Sequence, residues 1–463
     1  MTKAKTLTIG GVVLAGVAAG VVGAIWLLRP TPPPNVVIVL VDTLRADHTT
    51  VHGYRFPTTP NLERIARDGL VLRSHFVNAP WTKPSVASLL TGLHPSAHGS
   101  RVGQFETLHR IEEIRAEGRT PSLEILSQDH DTLPEWLRDA GYHTAAFVSN
   151  YHMTPRFGYD QGYENYVFTP DERDDPTNVQ NTIDALKQSE GPAFVWCHLM
   201  AVHDYRYPKE HQQEAFRPKT YTPIDPNAHQ ALRVEGWKYL ETVVADYDNA
   251  IWFDDYLLGK LFDYIEREEP NTILIVTSDH GEEFYEHGGF EHVRTLYNEL
   301  VHVPLVIWGP GVPRGEVQGL TDSVDLLPTL LHRLGIEGDG DLPGQILFTD
   351  AGPTAGKAEV FCEKHHRGRQ RRFALLADGQ KVIVSEHKRT GAQTVELYED
   401  ALGPETDDAS ARADRGDVQH WRERVESWRD RVADRFRRTI GDAARTDLSQ
   451  YDIEQLKALG YVR

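Results

Sequence analysis

Two carboxylates and an imidazole stand at the ends of strongly apolar runs in this sequence. Asp42 closes Val36-Val37-Ile38-Val39-Leu40-Val41, and Asp279 and His280 follow Thr272 to Val276 within Thr277-Ser278-Asp279-His280-Gly281. Such a donor set suits Zn2+ or Mn2+, whereas Ca2+ prefers oxygen alone. A third segment, Thr82-Lys83-Pro84-Ser85-Val86-Ala87-Ser88-Leu89-Leu90-Thr91-Gly92, sets a hydroxyl immediately before a predicted helix start, with Pro84 as an early helical residue. Unpaired N–H groups and the positive end of the helix dipole gather there, so an oxyanion can be held beside Thr82. Taken alone, Thr-x-Pro-Ser is an ordinary capping sequence, and a lone Asp-His pair is usually a surface or capping feature. Their coincidence in one chain points to a metal site facing a hydroxyl.

Bringing strand ends and a helix start together requires buried strands alternating with helices. Val36 to Val41 is continuous, apolar and β-branched, as a central strand covered on both faces must be. Similar runs occur at Ala145 to Val148, Ala193 to Cys197, Thr272 to Val276 and Leu305 to Trp308. Thr59 can cap a helix that starts at Pro60 and puts Leu62, Ile65 and Ala66 on one face. Asp131 to Ala140 reads as another helix. Gly236 to Glu266 reads as the longest, with Tyr239, Val243, Tyr247, Ala250, Ile251, Asp254, Leu258 and Phe262 at helical spacing. The alternation predicts an α/β fold with a central, mostly parallel sheet and helices on both faces. Sites in such sheets lie beyond the carboxyl ends of strands, where Asp42, Asp279 and His280 fall. Residues 103–130 are charged and weakly periodic, and read as a surface insertion. From Asp414 the tail alternates Arg with Asp and Glu, yet Trp421, Val425, Trp428, Val432 and Phe436 form one apolar stripe, which predicts a helix packed on the domain. Ser449 begins a last short helix ended by Gly460.

The three motifs, in this order, resemble the sulfatase family of the alkaline phosphatase superfamily. The likeness runs from Asn35 to about Leu347, returns at Val395-Glu396-Leu397-Tyr398-Glu399-Asp400 and ends with Leu456-Lys457-Ala458-Leu459-Gly460-Tyr461-Val462. It takes in Pro57-Thr58-Thr59-Pro60-Asn61-Leu62, Ala145-Ala146-Phe147-Val148-Ser149-Asn150, Leu296-Tyr297-Asn298-Glu299 and Asp325-Leu326-Leu327-Pro328-Thr329-Leu330. The resemblance implies an alkaline-phosphatase/sulfatase-like catalytic domain over residues 35–350 and a small C-terminal subdomain with a helical tail over 351–463. It implies a divalent metal held by Asp42, Thr82, Asp279 and His280. His203 matches the family histidine that contacts the transferred anion, and His198 precedes it at the same strand end. His287 and His292 follow the metal motif at family spacing, where an imidazole can assist a leaving group. Lys83 lies beside the hydroxyl and either contacts a phosphoryl oxygen or is simply exposed, while Arg45 and Asp47 read as structural support.

Two departures from the family pattern bear on the reaction. Many sulfatases carry a second Asp after the first and an Asn after the later one. Thr43 and His280 stand there instead, which makes calcium less suitable and a transition metal more so. Sulfatases convert a Cys or Ser at the position of Thr82 to formylglycine, in a motif that continues with Pro, then Ser or Ala, then Arg. Here Pro84 and Ser85 are kept and Val86 stands where the Arg belongs. A secondary alcohol cannot be oxidised to an aldehyde, which excludes formylglycine. Phosphodiesterase and phosphoethanolamine transferase relatives use threonine itself as the nucleophile toward phosphorus. Hydrolysis of phosphate mono- or diesters is therefore the leading expectation, and sulfate ester hydrolysis the alternative. A phosphoethanolamine-type transferase would carry several membrane helices before the domain, and an inactive binding module would not need this metal set.

Composition bounds the partners. With 68 Asp and Glu against 49 Lys and Arg, the chain is unsuited to nucleic acid or an anionic lipid surface as main partner. A small anionic ester stays compatible, because a metal ion reverses the local field. Leu7 to Leu28 is uncharged and long enough to span a bilayer, with Lys3 and Lys5 before it and Pro30 and Pro32-Pro33-Pro34 after it. Residues 1–34 are thus expected to form an anchor and linker. The basic flank stays in the cytoplasm, the 7–28 segment crosses the inner membrane once, and the domain lies outside it. The other reading is a cleaved signal peptide, whose apolar region is usually shorter. Cys197 and Cys362 lack metal-site spacing. A disulfide is open to them in an oxidising compartment, and paired buried thiols are the plainer expectation.

Overall fold

Strand β1 (Asn35–Val41) is buried at every position and runs through the middle of an eight-stranded sheet. Its companions are β2 (Leu70–Phe76), β3 (His143–Val148), β4 (Asn165–Phe168), β5 (Ala193–Leu199), β6 (Thr272–Thr277), β7 (Leu305–Trp308) and β8 (Gly315–Asp322). The spatial order is β8-β2-β7-β6-β1-β5-β3-β4. Every neighbouring pair is parallel except the two made by β7, which runs antiparallel to both β6 and β2. The computed structural model describes residues 32–101, 111–118, 120, 122–169, 174–217, 236–338, 342–365, 370–411, 415–439, 444–450 and 453–454. Residues 34–463 group as one compact unit.

Alternate side chains of β1 enter two cores. Val36, Ile38 and Leu40 pack with α2 (Thr82–Thr91), α3 (Leu133–Asp139) and α6 (Leu326–Leu334). Val37, Val39 and Val41 pack with α1 (Pro60–Asp68), α4 (Asp175–Gln188) and α5 (Leu240–Glu268). This two-faced burial is why β1 is apolar throughout. It is the mostly parallel sheet with helices on both faces that the sequence predicts.

Several elements differ in detail. Leu305–Trp308 was expected among parallel strands, but an apolar β-branched run carries no mark of direction. Strand β2 escapes the apolar pattern because it contains Arg73, Ser74 and His75; the last two are buried, and His75 Nδ1 lies 3.0 Å from Thr321 Oγ1 of β8. Thr59 does not cap α1. Its hydroxyl accepts the Thr50 N–H, and Asp255 of α5 accepts the Asn61 and Leu62 N–H groups at 2.8 Å each. The cap is thus supplied by another helix, which locks α1 onto α5. Helix α5 begins at Leu240, after a 3-10 turn over Gly236–Tyr239.

Strands β9 (Glu359–Lys364), β10 (Gln370–Ala377), β11 (Gln380–His387) and β12 (Gln393–Tyr398) form an antiparallel meander, the small C-terminal subdomain. One face packs on Phe76, Leu300 and Val303 of the larger part. The other is covered by α7 (Arg415–Thr439) through Trp421, Val425 and Trp428, with Trp428 stacked on Phe361 at 4.3 Å. Trp421, Val425 and Trp428 of the tail stripe are therefore core. Cys197 and Cys362 are free, buried and in separate clusters, so the expected pairing of thiols does not occur. Among the described residues no helix is long and apolar enough to cross a membrane. The 7–28 segment lies outside them, as do most of the last short helix and residues 103–110, 119 and 121 of the insertion.

Candidate active site

The sheet order brings the polar residues together. Strands β6, β1, β5 and β3 are neighbours, so Asp279-His280, Asp42, His198 and Asn150 converge at one carboxyl edge. Helix α2 then points its N-terminus at that edge, with Thr82 as its first residue and Trp81 at the cap position. The Thr82 hydroxyl is not consumed in capping the helix. Instead Oγ1 lies 3.3 Å from His280 Nε2 and accepts from Asn150 Nδ2 at 3.2 Å. Asn150 also donates to Asp42 Oδ2 at 2.8 Å, and His198 Nε2 lies 3.3 Å from the same oxygen.

Asp42, Asp279 and His280 each turn one ligand atom to a common point, all within 4.8 Å of one another. The His280 tautomer is set by its other nitrogen, Nδ1, which donates to the Gly281 carbonyl at 2.9 Å. Nε2 therefore presents a lone pair, 3.5 Å from Asp42 Oδ1 and 3.4 Å from Asp279 Oδ2. Those two oxygens are buried and have no hydrogen-bond donor. Two carboxylate oxygens facing each other without a donor, beside a nitrogen met only by the Thr82 hydroxyl, are unstable unless a cation lies between them, so these residues fit a divalent metal. The electrostatics agree. Burial raises Asp42, but the imidazoles of His198, His203 and His280 outweigh it and hold the group well below the ordinary carboxylate range. Burial and the Asp42 charge then push Asp279 up to about 7. Only a positive charge at the shared point would keep both ionised.

His203 and His292 line the open side. Their side chains keep 18% and 19% of their surface exposed, whereas those of Asp42, Asp279 and His280 keep none. The His292 ring is 4.4 Å from that of His280 and 5.3 Å from that of His203. His203 Nδ1 is steadied by Asp204 at 3.0 Å. His292 Nδ1 lies 3.4 Å from Glu282, whose carboxyl burial and the neighbouring Glu291 push up to about 8.

Two expected site residues are elsewhere. Lys83 is neither exposed nor turned to the anion: Nζ donates to the Glu124 carbonyl and lies over the Phe157 ring. One helical residue is a rotation of about 100°, so it leaves Thr82 and Lys83 on different sides of α2. His287 does not face the metal ligands. Its Nδ1 bonds Glu299 Oε1 at 2.7 Å, its Nε2 bonds the Glu405 carbonyl at 2.8 Å, and its ring stacks on Tyr297 at 3.6 Å. Burial disfavours its charge, but these acceptors outweigh it and raise the imidazole to about 9. The ion pair therefore stabilises the fold fully below 6.5, the ordinary value of an imidazole, and ceases to do so as pH rises through about 9. His287→Gln should lower the melting temperature clearly at pH 6 and little at pH 10; an equal loss at both would refute the charged tie.

Asn150, His198 and Glu282 had no assigned role in the sequence reading. The signal that could have found the first two is their place at the ends of apolar runs, His198 on β5 beside β1 and Asn150 just after β3, the next strand out. Backbone strain marks the same region. Of six non-glycine residues at positive φ among the described residues, five (Thr43, Tyr205, Tyr285, Glu291 and Val293) flank these motifs, and Glu291 and Val293 bracket His292. Thr43, at φ 62°, is pinned by the Tyr247 hydroxyl, which donates to its carbonyl at 2.7 Å, and by its own N–H to Asp279 at 3.3 Å. Arg45 is committed to Asp47 at 2.7 Å and Glu286 at 2.6 Å, the structural role expected of it.

A hydroxyl at a helix N-terminus, facing a buried acidic cluster that fits a metal at the carboxyl edge of an α/β sheet, suits a hydrolase of sulfuric or phosphoric esters. The Sulfatase family model matches residues 34–336, and the chain belongs to that family. A sulfatase of Formosa agariphila is 23% identical over 440 residues, covering 80% of this chain and 82% of its own. The N-acetylgalactosamine-6-sulfatase of Canis lupus familiaris is 28% identical over 365 residues, covering 71% and 66%. Among solved structures, the phosphonate monoester hydrolase of Agrobacterium radiobacter shares the fold with a TM-score of 0.66 at 20% identity, over 86% of this chain and 96% of its own. Enzymes of the family generally use a divalent metal ion, and Asp42, Asp279 and His280 form a site able to hold one.

Proposed function

We propose that the protein hydrolyses phosphorus esters, phosphate mono- or diesters, with Thr82 as nucleophile. The observation that carries this reading is the Thr82 hydroxyl itself. It lies 3.3 Å from His280 Nε2 at the mouth of the acidic cluster and is a secondary alcohol. Zn2+ or Mn2+ fits the Asp42–Asp279–His280 set better than Ca2+, with Thr82 Oγ1 as a further donor. When bound, the ion supplies Lewis acidity that favours the ionised hydroxyl. Thr82 Oγ1, its proton given up to solvent, attacks phosphorus, forming the Oγ–P bond as the bond to the leaving oxygen breaks. His203 or His292 gives that oxygen its proton. Water then cleaves the Oγ–P bond and restores the hydroxyl. Asn150 orients both Thr82 and Asp42 throughout, and the α2 N-terminus favours the phosphoryl oxygens.

The second reading is sulfate ester hydrolysis, favoured by the names of the relatives from Formosa agariphila and Canis lupus familiaris. A panel of chromogenic phosphate monoesters, phosphodiesters, phosphonate esters and sulfate esters, run with several divalent metals, separates the two. The phosphorus esters should have the higher kcat/KM, and faster turnover of every sulfate ester would make the second reading correct.

The same proposal places the enzyme in the inner membrane through residues 7–28, with its domain on the far side. Sufficient apolar length and the preceding Lys3 and Lys5 support this. The full chain should resist alkaline extraction from membranes. Soluble protein with a processed N-terminus near Thr31 would show a cleaved signal instead.

A further inference from the structure

The turn that carries His203 is held from behind by two buried aspartates that the chemistry above does not use. Asp175, the first residue of α4, accepts the Met200 N–H at 2.8 Å and the Ala201 N–H at 2.7 Å. One helical turn on, Asn178 donates to the His198 carbonyl at 2.9 Å and to the Ser149 hydroxyl at 3.0 Å. The start of α4 thus fixes the strand end bearing His198 and the turn bearing His203 together. Asp254, from α5, is buried against the Asp175 carboxyl, and neither of its oxygens meets an N–H or O–H donor in hydrogen-bond geometry. The Val202 N–H faces it and favours its charge.

The charged and titratable groups acting most on the pair are His198 and Cys197 of β5 and Asp255 of α5, none of them a lysine or arginine. Asp255 is already committed to the start of α1. Two bare carboxylates in contact, buried and with no lysine or arginine among the groups acting most on them, repel too strongly to persist. One proton between them removes a charge and makes a short O–H to carboxylate hydrogen bond.

We propose that Asp175 and Asp254 share one proton, and that this carboxyl pair is a positioning device that fixes the backbone of residues 200–202 and through it the imidazole of His203. The inference rests on the reading that His203 serves the hydrolysis. Asp254, as the acid, donates to Asp175, which keeps lone pairs for the Met200 and Ala201 N–H groups. Burial pushes Asp254 well above the ordinary range and lifts Asp175 to about 6 in spite of those two amides, in the direction that sharing requires.

Asp254→Asn retains a neutral donor toward Asp175, so kcat should stay within about threefold of the parent, whereas Asp254→Leu, apolar and larger, removes the donor and should lower kcat roughly tenfold or more with little change in KM. In a His203→Ala background, Asp254→Leu should cost less than about twofold, because groups acting through one another are not additive. Asp254→Asn as damaging as Asp254→Leu, Asp254→Leu with unchanged kcat, or an equal loss with and without His203 would each overturn the proposal. Infrared spectroscopy of the full chain reads the proton without substrate and without the leucine variant. A protonated-carboxyl stretch at neutral pH that disappears in Asp254→Asn supports the pair, and superimposable spectra of the two proteins reject it. That readout stands or falls independently of which esters are turned over.

Discussion

Thr82→Ala is expected to lower turnover of phosphorus esters by at least about a thousandfold, because the attacking oxygen is removed and water must act alone. The fold should survive. The Thr82 side chain makes no capping bond to α2, so the helix loses none of its N-terminal hydrogen bonds, and only a hydroxyl and a methyl group leave the site. Circular dichroism and a melting temperature within a few degrees of the parent would show this. Thr82→Ser should retain more activity than any other replacement, since it preserves an oxygen nucleophile at the same point. With a slowly released phosphorus ester, intact mass should show a phosphoryl adduct on the parent and none on Thr82→Ala. Unchanged activity in Thr82→Ala removes the residue from the mechanism. Sulfate esters cleaved faster than all phosphorus esters leave the family standing and the nucleophile argument without its premise.

Much of this site is legible along the chain because its residues end elements whose patterns are strong. Asp42 and Asp279-His280 each close a run buried on both faces, and α/β sheets put chemistry at such ends. Asn150 and His198 were harder, for a physical reason. Their part depends on which strands become neighbours, and parallel strands pair across long crossovers that leave no local trace. Only the pairing of Leu40 with His198 sets that imidazole beside Asp42.

His287 and His292 show the same limit at smaller scale. Both follow the metal motif, but which ring faces the cluster is decided by positive φ at Glu291 and Val293, conformations that their residue types disfavour and that no spacing reveals. Lys83 failed through side-chain direction, since neighbours on a helix diverge. The tail stripe of Trp421, Val425 and Trp428 was readable because a helical period with aromatic anchors has few uses other than packing.

Asp279→Ala should abolish stoichiometric metal binding and, in the metal-loaded protein, lower stability. The variant keeps Asp42 Oδ1 and His280 Nε2 but loses one of the two carboxylates that balance a divalent charge. An ion at a hundred times its Kd contributes about 2.7 kcal/mol, which in a domain of this size is a melting shift of roughly 3 °C. The sign should reverse once metal is withdrawn. In the parent, chelation leaves Asp42 and Asp279 facing each other in a buried site with no donor for Asp42 Oδ1 or Asp279 Oδ2. In Asp279→Ala that repulsion is absent. A chelator should therefore lower the melting temperature of the parent and hardly move that of the variant, whose metal-free form should be at least as stable as the metal-free parent. Elemental analysis and paired melts with and without chelator give both readings. Full metal occupancy in Asp279→Ala, or an equal response of the two proteins to chelation, would show that the ion is held by other residues.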